Sequence, residues 1–175
     1  MRKIKSRNPI DLFRLIPLDI IRRPRVSKEK SNLMPGSLLY TGKKRDEEIL
    51  LQAMIYNGDS FEEKTIKSVS ELDGVDLKEK HLWLNVTGLH NVELIREIGE
   101  HFDILNLTLE DVLNLGQRPK WEEYDGYFFQ VCKMVMTNND MIKHEQFAFV
   151  VGKNFIITFQ EDMQDIFDGV RDRLR

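Results

Sequence analysis

HLWLNVTGLHNVELIREIGEHF, residues 81–102, decides the fold, because it runs from an apolar strand straight into an amphipathic helix. Leu82 to Val86 has no polar alternation apart from Asn85, which suits a strand buried on both faces near a sheet centre, with Trp83 as its large anchor. Gly88 closes the strand. Asn91 is placed to cap a helix, and Ile95, Ile98 and Phe102 recur at i, i+3 and i+7 as one apolar stripe.

Outward from that unit, Ser37–Thr41, Ile49–Tyr56 and Phe61–Lys67 read as strands on the amino-terminal side, and Leu107–Leu113 as a second, shorter helix. Gly126–Met136 and Gln146–Phe159 read as long strands, the latter turned into a hairpin at Gly152-Lys153-Asn154. Past Asp162, Met163, Ile166, Phe167, Val170 and Leu174 mark a final helix whose stripe is still running at Arg175, with no C-cap, as if leading to a further segment. Strands, two helices, more strands and a last helix predict a mixed sheet covered by helices, an α/β fold.

The chain has 175 residues and a net charge of −3, but the charge is uneven. Residues 1–34 hold ten basic and three acidic residues, leaving the remainder strongly acidic. Pro9, Pro17 and Pro24 interrupt this basic segment, so it reads as a tail or docking arm ending at Met34-Pro35-Gly36. Its apolar residues, Ile10 to Ile21, could meet a partner or a membrane surface; a tail lying lightly on its own domain is the plainer expectation. Residues 35–175 form the globular part.

Composition also excludes. One cysteine, Cys132, permits no intrachain disulfide and no cysteine-based zinc cluster, and as a strand residue it is expected to be a buried, inert thiol. The longest run free of Asp, Glu, Lys and Arg is twelve residues, His81 to Val92, against the roughly 20 a spanning helix needs. His81, His90, His101 and His144 have no zinc spacing, and no nucleophile elbow, Walker A loop or dinucleotide fingerprint occurs. An enzyme is therefore not expected. Nucleic acid is a poor partner for an acidic globular part. Oxygen-rich groups remain: Glu110-Asp111, Glu122-Glu123-Asp125 and the series Asp162, Asp165, Asp168, Asp172 are donors of the type Mg²⁺ prefers, although such groups are commonly just solvated faces.

Four segments then occur in order: Pro35-Gly36 before Leu39-Tyr40-Thr41-Gly42; Trp83-Leu84-Asn85-Val86-Thr87-Gly88-Leu89-His90; Leu109-Glu110-Asp111-Val112-Leu113-Asn114; and Gln117-Arg118-Pro119-Lys120. Together with Glu122-Glu123-Tyr124, Lys133-Met134, Gly152-Lys153-Asn154-Phe155, Phe159-Gln160-Glu161 and Phe167-Asp168, they resemble the amino-terminal cytoplasmic domain of CorA-type magnesium transporters across residues 35–175. Two positions depart from that pattern: Leu105-Asn106 where the family often has His-Pro, and Gly169 where proline is frequent; Asn106 or Thr108 can cap the short helix instead.

The resemblance implies a three-layer α/β/α module with a mixed parallel and antiparallel sheet, on the cytoplasmic face of the cell membrane. Its last helix would lead to a stalk and two membrane helices outside this sequence, in a homopentameric Mg²⁺/Co²⁺ channel. The fragment itself is not expected to conduct ions. The resemblance also implies a weak regulatory Mg²⁺ shared between subunits, with Asp111 as the sensing carboxylate and Glu110 beside it, opposed by a carboxylate on a neighbour's stalk. Two other readings stay open: the same module in a zinc-carrying relative, or a free-standing membrane-docking protein acting through residues 1–34. A local role for Asp111 is a capping box with Thr108 at the helix start. Arg118-Pro119-Lys120 reads as loop architecture, Pro119 fixing its own φ and restricting Arg118.

Overall fold

The computed structural model describes residues 33–43, 46, 48–138, 141–162 and 167–175. The chain runs β1 (Leu50–Tyr56), β2 (Phe61–Ile66), a 3-10 turn (Val69–Leu72), β3 (His81–Thr87), α1 (Val92–His101), α2 (Asn106–Leu113), β4 (Lys120–Tyr124), β5 (Tyr127–Asn138), β6 (Met141–Gly152), β7 (Phe155–Gln160) and α3 (Asp168–Leu174). All seven strands join one sheet in the order β2-β1-β3-β7-β6-β5-β4. Among the described residues, only β3 and β7 pair in parallel. The mixed sheet and the central position of the Trp83 strand are as expected.

Register explains the layers. Ile66, Leu51, Val86, Phe159, Ala148, Val131 and Lys120 form one row across all seven strands, and the apolar members of that row lie in the main core. The α1 stripe residues Ile95 and Ile98, with Leu109, Val112 and Leu113 of α2, pack in the same core. Asn91 Oδ1 accepts from Leu94 N–H at 3.2 Å and caps α1, a contact contributing about 1 kcal/mol. Gly99 is what brings the two helices together: a Cβ there would overlap Leu109 Cδ1.

On the other sheet face, Phe167 stands edge-on to Trp83 with ring centroids 5.6 Å apart and packs on Phe147 at 4.9 Å. Arg171 of α3 is buried with its guanidinium 5.9 Å from the Trp83 ring. This third layer completes the α/β/α arrangement. Beneath it, buried polar groups satisfy one another: Trp83 Nε1 donates to Thr158 Oγ1 at 3.0 Å, and Thr158 Oγ1 donates to Asn85 Oδ1 at 2.7 Å.

Some expectations change. Ser37–Thr41 is not a strand, because its backbone binds the end of α2 rather than a sheet edge: Thr41 N–H donates to the Leu113 carbonyl at 3.1 Å. The hairpin β5–β6 is longer than its apolar run, extending to the pair Asn138 and Met141. The strand β4 and the 3-10 turn, closed by a Ser68/Glu71 capping box, are additions. The basic tail over residues 1–34 falls, but for Leu33 and Met34, outside the described residues, as do Met163 and Ile166, both expected in the final helix. No helix among the described residues is long and apolar enough to cross a membrane.

Candidate functional site at the α2–β4 cleft

Helix α2 carries both candidate carboxylates. Its N-cap, Leu105, offers no side-chain cap. Neither Asn106 nor Thr108 starts the helix by capping: Thr108 is buried one turn in, where its hydroxyl meets the Tyr127 hydroxyl at 2.8 Å. The Leu105 N–H also bonds Tyr127, at 3.2 Å. A side chain from β5 thus does the work of a cap, which displaces the capping-box reading of Thr108 and Asp111.

The two acids diverge. Glu110 Oε2 accepts from Gly36 N–H at 2.7 Å, a contact reached through the left-handed backbone of Gly36 at φ 81°. Asp111 Oδ2 lies 2.6 Å from Lys120 Nζ. The same ammonium lies 2.7 Å from Glu122 Oε2, which also accepts from the Tyr124 hydroxyl at 2.7 Å. Lys120 and Glu122 face α2 together because they are two apart on β4. Between them and the core, the Phe129 ring receives the ammonium at 5.5 Å from its centroid, within cation–π range.

Burial opposes the charge on Lys120, but the hydrogen bonds it donates to Asp111 and Glu122 outweigh it and hold the lysine above its usual range. Lys120, then Tyr124, draw the Glu122 carboxyl below the ordinary carboxylate range. A carboxyl depressed in the folded state stabilises above its unfolded value, near pH 4.3, and that share is lost as pH falls through the folded value. Glu122→Gln is therefore expected to flatten the acid side of the stability profile. With the Glu122 side chain 36% exposed, the cost at pH 7 should stay under about 1 kcal/mol. Urea midpoints between pH 3 and 7 measure this; a profile parallel to that of the wild type would contradict it.

The carboxyl end of α2 is anchored by its carbonyls. Gln146 Nε2 donates to the carbonyls of Asp111 at 3.2 Å and Val112 at 3.3 Å. Lys133 Nζ reaches the Leu115 carbonyl at 2.7 Å and Gln146 Oε1 at 3.0 Å, and burial lowers the pKa of this lysine. Asp111, Glu110, Lys120 and Arg118 line a cleft of about 870 Å³ whose far side is Leu33 to Pro35.

A hydrated divalent cation needs one or two carboxylates and several waters, and a cleft this wide admits that shell. Asp111 fits as one ligand. Among the described residues no three His, Cys, Asp or Glu side chains converge, so a closed metal cage is not formed by them. The four histidines do not gather; His101 Nδ1 instead sits 3.4 Å from Asp73 Oδ1. Cys132 is half-buried, with burial pushing its thiol pKa up. Lys120 went unrecognised as part of the site because its segment reads as a loop; its spacing of two from Glu122 becomes a signal only once β4 is known to be a strand.

Comparison with known proteins adds three findings. A family model described as CorA-like Mg2+ transporter protein matches residues 78–175. The cobalt/magnesium transport protein CorA of Thermotoga maritima is 37% identical over 148 residues, covering 83% of this chain and 42% of that protein, so the chain spans about two fifths of that relative's length. Among solved structures, the full-length CmaX protein superimposes with a TM-score of 0.57 at 14% identity, over 75% of this chain and 41% of that one, a likeness of fold.

Proposed function

The chain belongs to the CorA-like Mg2+ transporter family, and from that premise we propose that it is the cytoplasmic, cation-sensing head of a divalent-metal transporter. The observation that carries the sensing role is the Asp111 carboxylate at the edge of the α2–β4 cleft, a hard oxygen donor in a space wide enough for a hydrated ion.

In this reading five copies assemble through segments beyond Arg175, and Asp111 faces a carboxylate on a neighbour's stalk. Mg²⁺ between them offsets like-charge repulsion across the contact and favours the closed assembly. When cytosolic Mg²⁺ falls, the repulsion returns and the population shifts toward looser, conducting arrangements, by no more than the ion's differential affinity for the two states. Asp111 serves because α2 is fixed at both ends, by Tyr127 at its start and by Gln146 at its finish. A regulatory ligand on a rigid element converts ion binding into subunit position rather than local rearrangement. Glu110, held against Gly36, has a supporting part: it fixes the wall of the cleft.

In membranes holding the complete transporter, Asp111→Ala is expected to raise the Mg²⁺ concentration needed to protect this domain from protease by about fivefold or more. The fold should be unchanged by circular dichroism. Protection identical to that of the wild type would remove Asp111 from the sensing role. Replacing Mg²⁺ with Zn²⁺ in the same assay separates this reading from the zinc-carrying alternative.

A further inference from the structure

Resting on the sensing role of Asp111, we propose that Lys120 is a tethered competitor of the sensed cation. Its ammonium fills the position between Asp111 and Glu122, so a divalent ion reaches Asp111 only by exchange, and Lys120 sets the concentration at which the sensor responds.

The geometry is specific. Both carboxylates bind the same nitrogen, Asp111 at 2.6 Å and Glu122 at 2.7 Å, and the three side chains are 16%, 36% and 24% exposed for Asp111, Glu122 and Lys120. An ion pair on an open surface has little such definition. The lysine stem rises from the core-facing row of the sheet, and the Phe129 ring supports its head from below. A charged group held this way is present at an effective concentration in the millimolar range or above, since its tether is short. Monovalent ions carry no more charge than the ammonium and form no covalent link to the site, so they gain nothing by exchange. A divalent ion brings twice the charge to the same oxygens.

The release step also has a defined destination. Three N–H donors leave Lys120 able to keep Glu122 while giving up Asp111. Glu122 retains the Tyr124 hydroxyl in either state. The exchange therefore needs no unpaired buried charge, and the two partners of Lys120 divide into one that yields and one that stays.

The test uses the complete transporter in detergent, which supplies the neighbour's carboxylate, with Mg²⁺ alone as the probe at fixed ionic strength. By calorimetry, Lys120→Met is expected to bind Mg²⁺ at least tenfold more tightly than the wild type, and adding Asp111→Asn should cancel the gain. Equal affinities, or no binding by either protein, overturn the proposal and leave the Asp111 sensing role to be decided by the protease assay. A gain that survives Asp111→Asn overturns the proposal and moves the cation off Asp111. Should Lys120→Met fail to fold, the wild type decides alone. Its hydrogen-bonded Lys120 ammonium, observed by ¹⁵N nuclear magnetic resonance, should shift as Mg²⁺ saturates the site; a signal unmoved at saturation overturns the competition.

Discussion

Phe129→Ala is expected to lower the unfolding free energy by about 3–5 kcal/mol, read as a fall in urea midpoint at constant slope. Phe129 is fully buried on the sheet face that carries α1 and α2, opposite Glu122 on one side and Val150 on the other. Truncation removes the transfer free energy of the ring and leaves a cavity the surrounding sheet cannot close. For a domain whose whole stability is about 5–15 kcal/mol, that loss is about a fifth or more. A second effect sets Phe129 apart from an ordinary core position. Its ring is the floor under the Lys120 ammonium, so the truncated protein should also hold Lys120 less firmly between its carboxylates. Phe129→Leu keeps most of the volume and removes the π face. It should recover most of the stability, to within about 1.5 kcal/mol, without recovering the lysine's position.

Gln146→Leu is expected to cost about 3 kcal/mol, although it exchanges a polar core residue for an apolar one of similar size. Gln146 is buried, and its amide satisfies two carbonyls at the end of α2 while its oxygen accepts from Lys133. Leucine leaves all three without that partner. Each orphaned buried polar group costs about 1–3 kcal/mol, and loss of a bond to a charged donor lies at the upper end. The result should appear as faster amide exchange in α2 as well as a lower midpoint, because the helix loses its anchor on the sheet. A substitution within about 0.5 kcal/mol of wild type would mean that the α2 carbonyls are satisfied by other groups.

The strand and helix of residues 81–102 were legible because both periods are clean and each burial pattern is one-sided or complete. The strand β4 was not, and for a physical reason. In Lys120-Trp121-Glu122-Glu123-Tyr124 the side facing α2 bears Lys120 and Glu122, whereas Trp121 is exposed, so the usual apolar-in pattern is inverted where the candidate site lies. Ser37–Thr41 has strand composition but its backbone partner is the end of a helix, which no local pattern reports. Asp111 could be selected by resemblance; its pairing with Lys120 depends on a register set by residues 120–131 and could not be. The cap of α2 was misread on the same ground, since Tyr127, the residue that serves it, is 22 positions from Leu105.

The parallel contact of β3 with β7 has a kinetic consequence. It joins Leu82 to Phe155 through the middle of the sheet, whereas every other strand pair links neighbours in the chain or, for β1 and β3, near neighbours. Two halves, β1 to β3 on one side and β4 to β7 on the other, can each zip from local turns, but their seam waits on a long excursion of the polypeptide. During synthesis the amino-terminal half must stand with an open central edge until β7 leaves the ribosome, which makes this seam the segment most dependent on protection from wrong partners before the domain is whole.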